Sequence, residues 1–130
     1  MARVLVVDDD PVTLIGLELQ LRALGHEVRS RPTLADGLLA AVEERADVLL
    51  LDVDLGDGRT GDELLALLDR GVGRPLVTCL LSGSDAGQLA ALADRLGAAW
   101  LPKPVRPSDL AQVLGRSGRR PDADGEARPS

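Results

Sequence analysis

Short apolar runs alternate along this chain with longer amphipathic stretches, and four of the runs stop abruptly at an acid, a serine or a proline-flanked lysine. Runs of Val and Leu without alternation suit strands buried on both faces, the pattern of a parallel sheet covered by helices on both sides. Five strand-plus-helix units are legible. The run 3–7 meets Asp8-Asp9-Asp10, and Pro11 then opens a helix with Leu14, Leu17, Leu21 and Leu24 on one face until Gly25 ends it; Asp10 is placed to cap it. Residues 27–30 make a short second strand, and Thr33-Leu34-Ala35-Asp36 resembles a capping box ahead of a helix to about residue 45. The sheet resumes at 46 or 47, and Val48-Leu49-Leu50-Leu51 reads as a central strand ending in Asp52. Gly56, Gly58 and Gly61 form a loop before a helix through Leu64, Leu65, Leu67 and Leu68. A fourth strand is expected over 75–81, a helix over 85–96 closed by Gly97, a fifth strand over 98–101, a turn at Pro102-Lys103-Pro104 and a last helix over 108–114.

Beyond Gly115 no apolar residue is larger than alanine, too little to offset ordering entropy. The expected organisation is one domain over 1–117 and a disordered tail over 118–130. A chain of 130 residues, 45% hydrophobic and 28% charged, can build a core without disulfide or metal staples. Cys79 has no partner cysteine, which fits a reducing, cytoplasmic setting. The N-terminal apolar run is too short for a signal peptide, and no stretch reaches the roughly 18 apolar residues of a membrane span. A net charge of -6 and the absence of Phe and Tyr oppose direct nucleic-acid binding. His26 is the single histidine, so a two-histidine zinc site is excluded, and its place after Leu24-Gly25 suggests a role at a helix end.

Open parallel sheets place their sites outside the carboxyl ends of the strands, which selects Asp8, Asp9, Asp52, Ser82 and Lys103. Carboxylates brought together there, with Asp54 nearby, repel by roughly 4 kcal/mol per pair at about 4 Å and an effective dielectric near 20. Either their pKa values rise or a hard cation binds, and Mg2+ suits a few carboxylates plus waters and a phosphate. Capping explains one acid after the first strand, and Asp10 already fills that role, which leaves Asp8 and Asp9 for metal binding. Asp52 follows three leucines of the most buried strand, where an acid is costly without a task. Lys103 is the only lysine among 15 basic residues; it reads as a point charge for a phosphate or carboxylate, against the plainer reading of a surface lysine. Ser82 could donate to the same oxygen or cap the fourth helix.

Val6-Val7-Asp8-Asp9-Asp10-Pro11, Leu50-Leu51-Asp52-Val53-Asp54-Leu55, Leu81-Ser82-Gly83 and Gly97-Ala98-Ala99-Trp100-Leu101-Pro102-Lys103-Pro104 together closely resemble the response-regulator receiver domain of bacterial two-component signalling. The resemblance covers about residues 3 to 115. It implies a flavodoxin-like (βα)5 doubly wound parallel sheet of strand order 2-1-3-4-5. It further implies that Asp52 accepts a phosphoryl group from the phosphohistidine of a sensor histidine kinase or a histidine phosphotransferase. By the same carry-over, Asp9, Asp52 and the Asp54 backbone carbonyl ligate Mg2+ and Asp8 helps through water. Ser82 bonds a phosphoryl oxygen and Lys103 pairs with its charge. Movement of Ser82 couples to Trp100 and to the surface of helix four, strand five and helix five, through which a downstream protein target or a homodimer partner would bind. The chain departs from the commoner pattern at Gly56, where a proline is frequent, in a loop to Gly61 that looks one residue longer, in the acid Asp54, and in Trp100 for Tyr or Phe.

Rival readings are weaker. Gly56-Asp57-Gly58-Arg59-Thr60-Gly61 spells G-x-G-x-x-G, yet it lies at the third strand–helix turn among acids that would repel a pyrophosphate. Asp52-Val53-Asp54 resembles the paired aspartates of a haloacid-dehalogenase-like phosphatase, but such acids usually begin the chain and a cap domain has no room here. A receiver-like interaction module that is never phosphorylated is the third reading. With no output domain expected, a stand-alone receiver would act by contact.

Overall fold

The computed structural model describes residues 1–56 and 58–117. Asp57 and the tail expected over 118–130 lie outside the described residues. The elements alternate as expected: β1 (Arg3–Val7), α1 (Pro11–Ala23), β2 (Glu27–Arg31), α2 (Leu34–Glu44), β3 (Val48–Asp52), α3 (Gly61–Arg70), β4 (Val77–Ser82), α4 (Ala86–Leu96), β5 (Ala99–Pro102) and α5 (Pro107–Ser117). All paired strands are parallel, and the sheet order is β2-β1-β3-β4-β5. The flavodoxin-like doubly wound topology is therefore present, with the chain reversing direction across the sheet beside β1 and β3, where open α/β folds place their ligands.

Side-chain alternation along each strand divides the core into two layers. Val4, Val6, Leu50, Cys79 and Leu81 face α1 and α5, packing on Leu17, Leu21, Leu110 and Leu114. Leu5, Val7, Leu49, Leu51 and Leu80 face the other way, onto Leu64, Leu65 and Leu68 of α3 and Leu89 of α4. Every residue of β3 and β4 is buried, as the uninterrupted apolar runs require. Pro102, which lacks an N–H, sits on the edge strand β5, where the missing donor disrupts no central ladder.

Local signals explain most boundaries. Asp10 caps α1 by accepting the Val12 N–H at 3.2 Å and the Thr13 hydroxyl at 2.8 Å. Thr33 caps α2 by accepting the Asp36 N–H. A full capping box, unremarked in the sequence, starts α3: Thr60 and Glu63 serve each other's backbone N–H groups. The α1 face differs from expectation. Leu17 and Leu21 are buried, but Leu24 is 48% exposed, because α1 ends at Ala23 and Leu24 caps it outside the helical register. β4 begins at Val77 rather than at Pro75, whose carbonyl instead accepts the Thr78 hydroxyl. His26 accepts the Ala2 N–H on Nδ1 at 2.9 Å, so the lone imidazole ties down the N-terminus.

Candidate phosphoacceptor site

Four strand ends converge at one edge of the sheet. Asp8 follows β1, Asp52 ends β3, Ser82 ends β4 and Lys103 follows β5. Asp8 is fully buried, with Oδ1 accepting the Asp10 N–H at 2.9 Å and Oδ2 2.7 Å from the Lys103 ammonium. The same ammonium donates to Asp52 Oδ2 at 3.1 Å. Lys103 thus stands between two buried carboxylates, which rules out the plain surface-lysine reading. Asp9 is exposed, yet its carboxylate joins Asp8 and Asp52 in a group whose ligand atoms lie within 4.8 Å of one another.

Ser82 is buried one register step beyond the Asp52–Leu81 pair, and its Oγ accepts the Ser84 N–H at 3.0 Å. Helix α4 is capped by Asp85 instead, which removes the capping role weighed for Ser82. The Ser82 carbonyl accepts the Lys103 N–H at 2.8 Å, so the hydroxyl residue and the ammonium residue share a backbone ladder step. Trp100, opposite Leu80 on β5, is 37% exposed and not core, lining a surface cavity of about 540 Å3 with Asp109, Gln112 and Val113 of α5. Asp54 is exposed; its N–H donates to Asp52 Oδ1 at 3.2 Å and its carboxylate accepts the Gly56 N–H at 3.0 Å. The Asp54 side chain is therefore turned into its own loop and stays out of the three-carboxylate group.

Glycines shape the rim. An ideal Cβ on Gly61 would lie 2.5 Å from the Asp52 carbonyl oxygen, so only glycine lets α3 start this close to the end of β3. Gly56 has φ +76°, and a Cβ there would lie 2.7 Å from Asp9 Oδ2. Proline, fixed near -65°, cannot occupy that conformation, so the loop departs in shape as well as in sequence from the pattern with proline.

The electrostatics follow from this crowding. Burial, then the neighbouring Asp8, pushes the Asp52 carboxyl up from 3.8 to about 6, against the opposing pull of Lys103 and the Asp54 N–H. Burial disfavours the Lys103 ammonium, but Asp8 and Asp52 outweigh it and hold its pKa above the ordinary lysine value. Three carboxylates against one ammonium leave an excess of negative charge. The donor set is all oxygen, matching a small hard cation such as Mg2+. The residues present fit that ion.

Comparison with known proteins agrees with this geometry. The profile of the response regulator receiver domain matches residues 4–115. The chain is 35% identical over 118 residues to the transcriptional regulatory protein PrrA of Mycobacterium bovis, covering 88% of this chain and 47% of that protein. It is 30% identical over 126 residues to the transcriptional regulatory protein KdpE of Mycobacterium tuberculosis, covering 97% of this chain and 55% of that one. The chain thus spans about half the length of these curated relatives. Among solved structures, the chemotaxis protein CheY4 of Vibrio cholerae superposes with a TM-score of 0.78 at 28% identity, over 90% of this chain and 98% of that one. With the strand order and the profile over residues 4–115 in agreement, the chain belongs to the response regulator receiver domain family of two-component signalling.

Proposed function

We propose that the protein is a phosphorylation switch in which Asp52 accepts a phosphoryl group from the phosphohistidine of a sensor histidine kinase or a histidine phosphotransferase in the cytoplasm. The observation that carries this reading is the Lys103 ammonium, 2.7 Å from Asp8 Oδ2 and 3.1 Å from Asp52 Oδ2 beside the exposed Asp9 carboxylate. An Asp52 oxygen attacks phosphorus, the P–N bond to the donor imidazole breaks with its electron pair going to nitrogen, and the ring, already protonated on its other nitrogen, leaves as neutral imidazole. Phosphoryl transfer needs in-line placement and charge neutralisation more than covalent help, and this chain supplies both. Asp52 is fixed by the Asp54 N–H on one oxygen and by Lys103 on the other. Lys103 then pairs with a phosphoryl oxygen, and the Ser82 hydroxyl donates to another. Asp9, Asp52, the Asp54 carbonyl and, through water, Asp8 would hold Mg2+, which when bound neutralises charge on the phosphoryl oxygens.

Capture of Ser82 is read out through β5, because the Ser82 carbonyl holds the Lys103 N–H and Trp100 lies in the same strand. The α4-β5-α5 surface, where Trp100 is exposed, is the face offered to a protein target or to a second copy. Helix α1 offers the phosphoryl donor a different face. Val12, Ile15 and Leu19 are exposed at helical spacing, beside a groove lined by Thr13, Gly16, Pro104, Val105 and Lys103.

The test is incubation with acetyl phosphate and Mg2+, read by intact mass and Trp100 fluorescence. One phosphoryl adduct, lost in Asp52→Asn and accompanied by a fluorescence change that Lys103→Ala uncouples, is the expected result. No adduct and no response to beryllofluoride would leave a receiver-shaped binding module that is never phosphorylated, the reading that the unusual loop around Gly56 favours.

A further inference from the structure

The loop between β3 and α3 is held by a set of hydrogen bonds centred on Asp54. The Leu55 N–H donates to the Arg59 carbonyl at 3.0 Å, the Arg59 N–H to the Gly56 carbonyl at 2.8 Å and the Gly61 N–H to the Val53 carbonyl at 2.8 Å. Asp54 pairs antiparallel with Thr60, the cap of α3. Two groups of Asp54 are thereby committed at once, its N–H to Asp52 Oδ1 and its carboxylate to the Gly56 N–H, while its neighbours Val53 and Leu55 make the bridge bonds that set it opposite Thr60.

We propose that Asp54 is a positioning residue for the phosphoacceptor, whose carboxylate locks the loop through the Gly56 N–H so that its own N–H stays on Asp52 Oδ1. The inference rests on the reading of Asp52 as phosphoacceptor. Gly56 has an N–H to offer where a proline has none, and its φ of +76° lies in the region that glycine favours. A short Asx turn from Asp54 supplies the restraint that a pyrrolidine ring gives elsewhere. The lock has a second consequence. It seats Gly56 against the Asp9 carboxylate, where a Cβ would come within 2.7 Å of Oδ2, so the loop that bonds Asp52 also lies against Asp9. The competing account gives Asp54 only a negative charge near the phosphoryl group. The two accounts separate cleanly, because asparagine keeps the accepting oxygen and loses the charge.

Amide hydrogen exchange in the metal-free protein and the initial rate of adduct formation from acetyl phosphate with Mg2+ are measured for wild type, Asp54→Asn, Asp54→Ala and Asp54→Ser. We expect Asp54→Ala to speed exchange at Gly56 and at residue 54 about three- to tenfold and to slow adduct formation by a similar factor. Asp54→Asn stays within about twofold of wild type in both, and Asp54→Ser, with a weaker acceptor, falls between. The side chain is exposed, so these changes remove no core contact, and the asparagine and serine variants keep the test alive should the alanine variant not fold. Equal rate changes in Asp54→Asn and Asp54→Ala, or wild-type protection and rate in Asp54→Ala, overturn the proposal. A wild-type protein that forms no adduct defeats the phosphoacceptor reading instead, and exchange at residues 54 and 56 then decides the positioning role by itself.

Discussion

The two ends of the sheet handle charge in opposite ways. Toward the amino ends, Arg3 pairs with Glu27 at 3.4 Å on exposed side chains and Arg29, midway along β2, with the half-buried Glu44 at 3.1 Å, while Asp47 accepts the Arg3 N–H. Opposite signs are matched there in water, where an ion pair contributes little. At the carboxyl ends, Asp8 and Asp52 are buried at 0% and 6% exposure with Asp9 beside them and one ammonium between. Like charges are crowded out of water there, an arrangement that costs stability and persists because the packed strand ends hold it. The contrast separates charges left in water from charges held out of it, and it depends on burial and sign rather than on the number of ion pairs.

Removing the central cation should break the contrast most severely. Lys103→Ala leaves two buried carboxylates facing each other and is expected to destabilise the protein by about 2–4 kcal/mol at pH 7 in urea unfolding. Next in size, saturating Mg2+ should raise the unfolding free energy of wild type by about 1–3 kcal/mol, by mass action on the folded state, and do nothing for Asp9→Asn. A calorimetric scan showing equal shifts in both proteins would remove Asp9 from the cation site.

Asp52→Asn sharpens the contrast with a pH signature. The carboxyl titrates near 3.8 when unfolded and near 6 when folded, so the folded state resists its ionisation. The cost is absent below about pH 4, grows between 4 and 6 and is complete above 6. Asp52→Asn should therefore be more stable than wild type by about 1–2 kcal/mol at pH 7, after allowance for solvent screening, and equal to it near pH 4. A gap that does not change over that range would contradict the raised pKa. The smallest effect belongs to the other end: Glu27→Ala or Arg29→Ala should change stability by less than about 0.5 kcal/mol, and that little should fade in high salt.

Much of this was legible in the sequence because burial on both faces forces uninterrupted apolar runs, and a polar residue that ends such a run can only stand at the sheet edge. Asp52 after Leu49-Leu50-Leu51 and Lys103 between two prolines are found by that logic. The pairing of Lys103 with Asp8 as well as Asp52 was not, since it depends on how far the turn after β5 folds back over β1. The loop after β3 was the least legible part. Asp54 looked like an added charge on the site, whereas Gly56 offered an N–H close enough to draw its carboxylate away. The expected face of helix α1 held at Leu14, Leu17 and Leu21 and failed only at Leu24, which lies past the helix end and outside its register.

The contact of Lys103 with Asp8 joins the first strand to the turn after the last one. Such distant segments meet late in folding, because closing the longest loop carries the largest entropy cost. A chain still emerging, or with β5 undocked, would possess Asp52 but not the ammonium that completes its surroundings. On the proposed role of Asp52, readiness to be phosphorylated would thus report on the whole domain: a molecule that has not finished folding would lack the cation its acceptor needs.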